Sequence, residues 1–211
     1  ITKGAISGKI VSSVFRPTGP LTSPLKVALT FDDGPWPDST EQILDILKKE
    51  HVPATFFVIG RQAQARPELI GAELAAGMDV ENHSWDHPVT PPFHDLSPKR
   101  TRMEIKQCRD VLRDLGADPT LFRPPGGSYS DRMVEIADRL GERLVLWAVD
   151  PRDWVDDATP KQIVKAVMRA VRPGSIILLH DGGGDQSATV TALPRIIRRI
   201  EKMGLTFAPI A

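Results

Sequence analysis

The chain has 211 residues, 41% of them apolar and 26% charged, which suits one soluble globular domain with a core of its own. Lys and Arg total 27 and Asp and Glu total 27, so the formal net charge is zero, and a broad electrostatic footprint for nucleic acid or an anionic membrane is not expected. No window approaches the roughly 18 apolar residues of a membrane span, and the single Cys108 excludes an intramolecular disulfide. The chain begins at Ile1 rather than Met, which reads as a processed or trimmed product whose signal peptide, if any, is gone.

Residues 1–25 mix short β-prone pieces with Gly, Pro and Ser and read as an extension packed on the domain formed by 26–211. From Lys26 onward, short apolar runs alternate with helical patterns. The runs VALTF 27–31, ATFFVI 54–59, MDVEN 78–82, LFR 121–123, RLVLWAV 143–149, SIILL 175–179 and LTFAPI 205–210 read as seven buried strands. Ser39, with Gln42 three residues on, predicts a capping box in front of the helix TEQILDILKKE. Further helices are predicted over PELIGAELAA (from Pro67, ended by Gly77), Ser97–Leu115, Asp131–Leu140, Pro160–Val171 and Val190–Met203. Continuously apolar strands alternating with helices imply a parallel sheet covered by helices, as an open doubly wound sheet or as a barrel. The first strand-to-helix turn lacks GxGxxG, which counts against a dinucleotide-binding version of the open sheet.

The residues capable of chemistry stand just after the strands. Asp32 and Asp33 follow the first, His83 and His87 the third, and Arg123 closes the fourth. Asp150, Asp153 and Trp154 follow the fifth, and His180 and Asp181 the sixth. In a parallel α/β barrel these positions share one rim, where active sites are built. Two histidines four apart can face one ion, and a carboxylate arriving from the first strand makes a His, His, Asp set with a position left for water. The second carboxylate of the Asp32–Asp33 doublet is then free to act as a base.

These motifs, in this order, resemble the polysaccharide deacetylase family, the NodB homology domain of carbohydrate esterase family four. Its five motifs are matched by TFDDG 30–34, HSWDH 83–87, RPPGG 123–127, DPRDW 150–154 and LLHD 178–181. The resemblance implies a distorted, incomplete (β/α) barrel of about seven parallel strands over residues 26–210. It implies Asp32 as general base and Asp33, His83 and His87 as ligands of one divalent ion, zinc or in some members Co2+. It further implies Arg123 as the group that holds Asp32, His180 as general acid and Asp153 as its partner. Leu178 or Leu179 with Trp154 would shape a pocket for the acetate methyl. Gly126 stands where the family usually has Tyr and keeps the backbone N–H that helps stabilise an oxyanion. Gly127 beside it adds backbone freedom that could loosen that donor.

Trp36, Trp85 and Trp154 fall in rim loops and are expected to stack on sugar rings, with Tyr129 filling space near Gly126, whereas Trp147 lies inside a strand and is expected in the core. His51 and Arg61 read as exposed, His94 has no assigned role, Asp181 and Asp185 read as turn caps, and Asp150 as a residue that positions its loop. The implied activity is metal-dependent removal of N-acetyl groups from N-acetylglucosamine glycans such as chitooligosaccharides, chitin or peptidoglycan. The rival readings are an O-acetyl esterase acting on acetylxylan and a barrel that binds carbohydrate without turning it over. The implied partner is an acetylated glycan met by a monomer outside the cytoplasm, secreted or associated with the cell envelope.

Overall fold

A computed structural model describes residues 9–12 and 25–210; most of the expected N-terminal extension therefore lies outside the described residues. The strands are β1 (Ile10–Val11), β2 (Leu25–Asp32), β3 (Ala54–Val58), β4 (Asp79–Asn82), β5 (Leu121–Phe122), β6 (Arg143–Val145), β7 (Ile176–His180) and β8 (Leu205–Phe207). All pair in parallel, in the order β1-β6-β5-β4-β3-β2-β7, and β8 runs beside the first residues of β2. The seven expected strands are present, and Ile10–Val11 adds a short one along β6. The fold is a distorted, incomplete (β/α) barrel, not an open doubly wound sheet.

The closure of the barrel explains why the long run 143–149 is not one strand. Its first two residues, Arg143 and Leu144, pair with β5, after which the backbone leaves that neighbour. Ala148 N donates to Ile176 O at 2.9 Å, Leu178 N donates to Val149 O at 2.9 Å, and Val149 forms a single bridge with Ile177. One apolar run thus serves two strands in turn, and Trp147 lies at the corner between them.

The strand alternation sorts side chains between two cores. Leu29, Phe31, Ile177 and Leu179 face outward and are fully buried against Ile43, Leu47, Ile196 and Ile197 of the covering helices. Ala28, Phe57, Leu121, Val145 and Ile176 fill the inside of the barrel below the site. Buried apolar side chains each contribute roughly 1.5–3 kcal/mol by leaving water, so both faces of every central strand hold the rim in place.

The helices are α1 (Ser39–Glu50), α2 (Gly60–Ala65), α3 (Pro67–Ala75), α4 (Pro98–Asp114), α5 (Asp131–Arg139), α6 (Pro160–Ala170) and α7 (Ser187–Lys202). Three details differ from expectation. The capping box at Ser39 does not form: Asp38 occupies the cap position with φ 67° and makes no side-chain cap bond, while Ser39 Oγ donates to Asp181 O at 2.7 Å. A full capping box stands instead at Thr159–Gln162, ahead of α6. The short helix α2 is additional, its six residues being too few to show a period in the sequence. Finally, α7 starts three residues earlier than expected, where Asp185 Oδ1 accepts the Ser187 N–H at 2.9 Å.

Candidate active site

Strand β2 delivers Asp32 into the barrel at its C-terminal end. Regular strand geometry would send Asp33 to the other face, but Asp33 adopts φ 75°, so its carboxylate turns back toward the same space. The glycines after β7 make room for that conformation. A Cβ on Gly182 would lie 2.2 Å from Asp33 O, and one on Gly183 would lie 2.8 Å from its Oδ2. Asp181 passes beneath Gly34 with no exposure, and its Oδ2 accepts from Thr40 Oγ1 at 2.6 Å. It ties the start of α1 to the end of β7 and does not cap a turn, and burial pushes its pKa up to about 7.

Strand β4 ends at Asn82, and His83, which follows it, is 2% exposed. His83 Nδ1 lies 2.7 Å from Arg123 O. A carbonyl only accepts, so that nitrogen carries the proton and Nε2 keeps its lone pair for the cavity. His83 Nε2 is 3.4 Å and His87 Nε2 3.3 Å from one oxygen, Asp33 Oδ1. Asp32 Oδ2 stands 3.6 Å from His83 Nε2, on the same side. Burial by itself would raise the pKa of Asp33, but His83, His87 and His180 hold it well below the usual carboxylate range. Burial likewise opposes charge on His83, yet Asp32 and Asp33 outweigh it and raise its pKa. Burial and the neighbouring His83 lower that of His87.

Arg123 is fully buried, and its Nη1 donates both to Asp32 Oδ1 at 2.6 Å and to Thr30 Oγ1 at 2.7 Å. Its guanidinium lies over the Phe57 ring at 4.0 Å, which leaves Asp32 a rigid partner. Across the cavity, His180 Nδ1 bonds Asp153 Oδ1 at 2.8 Å. Asp153 Oδ2 accepts from His180 N at 2.9 Å and from Thr189 Oγ1 at 2.8 Å, so the carboxylate cannot rotate away. Burial disfavours the imidazolium, but the bond to Asp153 and the charges of Asp153, Asp32 and Asp33 prevail and raise the His180 pKa to about 9.

Asp32, Asp33, His83, His87 and His180 line a cavity of about 430 Å³, together with Gly126, Trp154, Leu178, Trp147, Val89 and Asp150, while Arg123 and Asp153 stand behind them. Four expected site residues stand elsewhere. Leu179 faces the helices, as the alternation from His180 requires. Trp85 packs on the backbone of Gly60, where a Cβ would meet its ring at 2.7 Å, and Trp36 lies under the Arg66 guanidinium at 5.1 Å. Tyr129 is 40% exposed and does not line the cavity. Trp147 packs against the inner core as expected and also forms part of the wall, because the chain turns from β5 toward β7 at that point. Gly127 does not loosen the loop: a Cβ there would meet the Trp147 ring at 2.5 Å, so the glycine is pinned beneath it. His94 pairs with Asp95 and Ser128 outside the cavity, and Asp150 Oδ1 accepts from Arg152 N at 2.7 Å, steadying its loop as expected.

The donor set fits a metal ion. One ligand atom from each of Asp33, His83 and His87 lies within 4.8 Å of the others. Asp33 Oδ1 is buried without a hydrogen-bond partner, although a buried carboxylate oxygen ordinarily has one. A cation among these three atoms satisfies it. The set leaves room for a further ligand, as hydrolytic sites require.

The family model described as polysaccharide deacetylase matches residues 21–145. The chain belongs to the polysaccharide deacetylase family. It is 37% identical over 187 residues to a peptidoglycan-N-acetylglucosamine deacetylase of Bacillus cereus, covering 88% of this chain and 86% of that protein. It is 40% identical over 193 residues to a chitooligosaccharide deacetylase of Sinorhizobium fredii, covering 84% and 86%. A solved peptidoglycan N-acetylglucosamine deacetylase superposes with a TM-score of 0.87 at 30% identity, over 100% of this chain and 95% of that one.

Proposed function

We propose that this chain is a metal-dependent hydrolase that removes N-acetyl groups from N-acetylglucosamine glycans of the chitooligosaccharide or peptidoglycan type, releasing acetate. One observation carries the reading: a buried base held by Arg123, a Asp33–His83–His87 donor set and a His180–Asp153 pair face one another across a single open cavity. The names of the relatives support the substrate class.

Asp33, His83 and His87 would hold the ion, which we take to be Zn2+, with Co2+ or another divalent ion as alternatives. When bound, the ion supplies Lewis-acid polarisation of the acetyl carbonyl and acidifies a water. Asp32 takes the proton from the attacking water, since Arg123 fixes one of its oxygens and leaves the other facing the cavity. The Gly126 N–H is the proposed donor to the oxyanion. His180 carries a proton at neutral pH and gives it from Nε2 to the departing amine, while Asp153 holds the opposite nitrogen. Leu178 and Trp154 bound the space offered to the acetyl methyl and the sugar. The catalytic domain spans residues 26–211, and the protein acts as a monomer, secreted or at the cell envelope.

Metal analysis combined with acetate release tests this on chitooligomers, peptidoglycan and acetylxylan. The wild type is expected to hold one zinc and to deacetylate the first two. Asp32→Asn should keep the metal and lose turnover, and Asp33→Asn should lose both. His180→Ala should damage amide cleavage far more than ester cleavage, because an amine needs protonation to leave and an alcohol needs it less. Release from acetylxylan alone would make the protein an O-acetyl esterase. No acetate from any acetylated glycan, with zinc bound, would make it a binding barrel.

A further inference from the structure

Glu104, fully buried on α4, has no part in the chemistry above, yet it touches the loop that presents the second histidine. Between His83 and His87 the chain must turn sharply, and Ser84 and His87 take φ 71° and 53°, a left-handed conformation that non-glycine residues disfavour. The hydrogen bonds that offset this can be followed one by one. Ser84 N donates to Asn82 Oδ1 at 2.9 Å and His87 N donates to Ser84 Oγ at 3.1 Å. The two N–H groups between them, of Trp85 and Asp86, both donate to Glu104 Oε2, at 3.0 and 2.9 Å. The loop carbonyls are held from the other side, since Gly60 N donates to Ser84 O at 2.9 Å and Arg61 N to Trp85 O at 3.1 Å. Glu104 keeps its charge balanced through Arg100, whose Nη2 lies 2.6 Å from Oε1, off the line of a hydrogen bond, and also donates to Asp86 Oδ2 at 3.1 Å.

We propose that Glu104 is a positioning residue that sets the metal affinity of the Asp33–His83–His87 cluster by fixing the 84–87 loop, an inference that rests on the metal-binding reading of that cluster. Glu104 touches neither the ligand atoms nor the cavity. It acts through two backbone N–H groups, so what matters is the reach of an acceptor oxygen more than its charge. Groups that orient metal ligands from behind typically change affinity by about 10–100-fold when removed.

Three variants separate reach from charge. Glu104→Gln keeps an acceptor at the same distance and loses the charge, Glu104→Asp keeps the charge one methylene short, and Glu104→Ala loses both. Zn2+ is titrated into each metal-free protein against a chromophoric chelator, at a temperature where circular dichroism shows the variant folded. The expected result is zinc binding by Glu104→Gln within about threefold of wild type and a loss of about 10–100-fold in Glu104→Asp and Glu104→Ala. If the alanine variant does not fold, the Asp and Gln pair decides. Glu104→Asp binding zinc like wild type, or Glu104→Gln binding as weakly as Glu104→Asp, would overturn the positioning role. Failure of the wild type itself to bind zinc would instead sink the metal reading on which it rests.

Discussion

The Asp153 carboxylate grips His180 at two points, the ring Nδ1 at 2.8 Å and the backbone N at 2.9 Å, so ring orientation and strand position are set by one side chain. The same contact holds the imidazolium charged up to a pKa of about 9 against its burial. If His180 protonates the leaving amine, deacetylation should decline as pH rises through that value. Asp153→Asn removes the negative charge and should move the alkaline limb of the pH–rate profile down by about one pH unit or more. The linked stability follows the same sign: the folded pKa lies above the ordinary 6.5, so the contribution is complete below pH 6.5 and is lost by about pH 9. A profile of acetate release for both proteins reads the first, and urea unfolding across the same range reads the second. An unchanged alkaline limb in Asp153→Asn would remove His180 from the acid role.

Arg123 presents a different balance, because it is fully buried and so is the carboxylate it holds. Removing one partner of a buried ion pair leaves the other uncompensated, at a cost of about 3–5 kcal/mol. Arg123→Ala should therefore unfold at markedly lower urea concentration. Arg123→Lys keeps the charge but is shorter and lacks the planar guanidinium that lies over Phe57, so it should fold and lose about 100-fold in kcat with KM little changed. A lysine variant with wild-type kcat would show that Asp32 needs no fixed partner.

Much of the site could be read from residue type and position alone. Asp32, His83, Arg123 and His180 stand at strand ends, and a parallel barrel gathers strand ends on one rim whatever its helices do. What escaped depended on where the backbone turns. Trp147 lies in an apolar run that looks like one strand, and nothing in its composition shows that it leaves β5 for β7 half-way. The neighbouring pair Leu178 and Leu179 was legible in principle, because His180 facing inward puts Leu178 inward and Leu179 outward by the two-residue period. Trp85 and Trp36 lie in the correct loops, but packing on Gly60 and under Arg66 takes them out of the cavity. Glu104 carried a signal of its own: it falls on the stripe Thr101, Ile105, Cys108, Leu112 that α4 buries, and a carboxylate in such a stripe calls for a partner.

The two glycines of RPPGG should respond unequally to substitution. Both have positive φ, 63° at Gly126 and 67° at Gly127, so alanine costs roughly 1–2 kcal/mol at either. At Gly126 nothing lies within 4 Å of the added methyl, and the cost should stop there. At Gly127 the methyl would meet the Trp147 ring at 2.5 Å and push it from its place in the cavity wall, adding about 1–3 kcal/mol. Thermal unfolding should place Gly127→Ala clearly below Gly126→Ala, with quenching of tryptophan fluorescence altered only in the former. Equal melting temperatures would mean that Trp147 moves freely, and the shape of that wall would not depend on it.

Trp154 is 52% exposed although it borders the cavity, and its ring is backed by the Arg152 guanidinium at 5.4 Å. An aromatic face held open in this way offers a platform to the apolar face of a sugar ring. Covering it would remove roughly half of a tryptophan surface from water, about 1–2 kcal/mol, or on the order of tenfold in affinity. Trp154→Ala should raise KM for chitooligomers by about that factor, while kcat stays within roughly twofold, because the ring supplies no acid, base or metal ligand. Since the gain comes from burying a sugar face, the rise in KM should be larger for a tetramer than for a monosaccharide substrate. A fall in kcat at unchanged KM would place Trp154 instead among the groups that shape the transition state, beside the acetyl group and away from the chain.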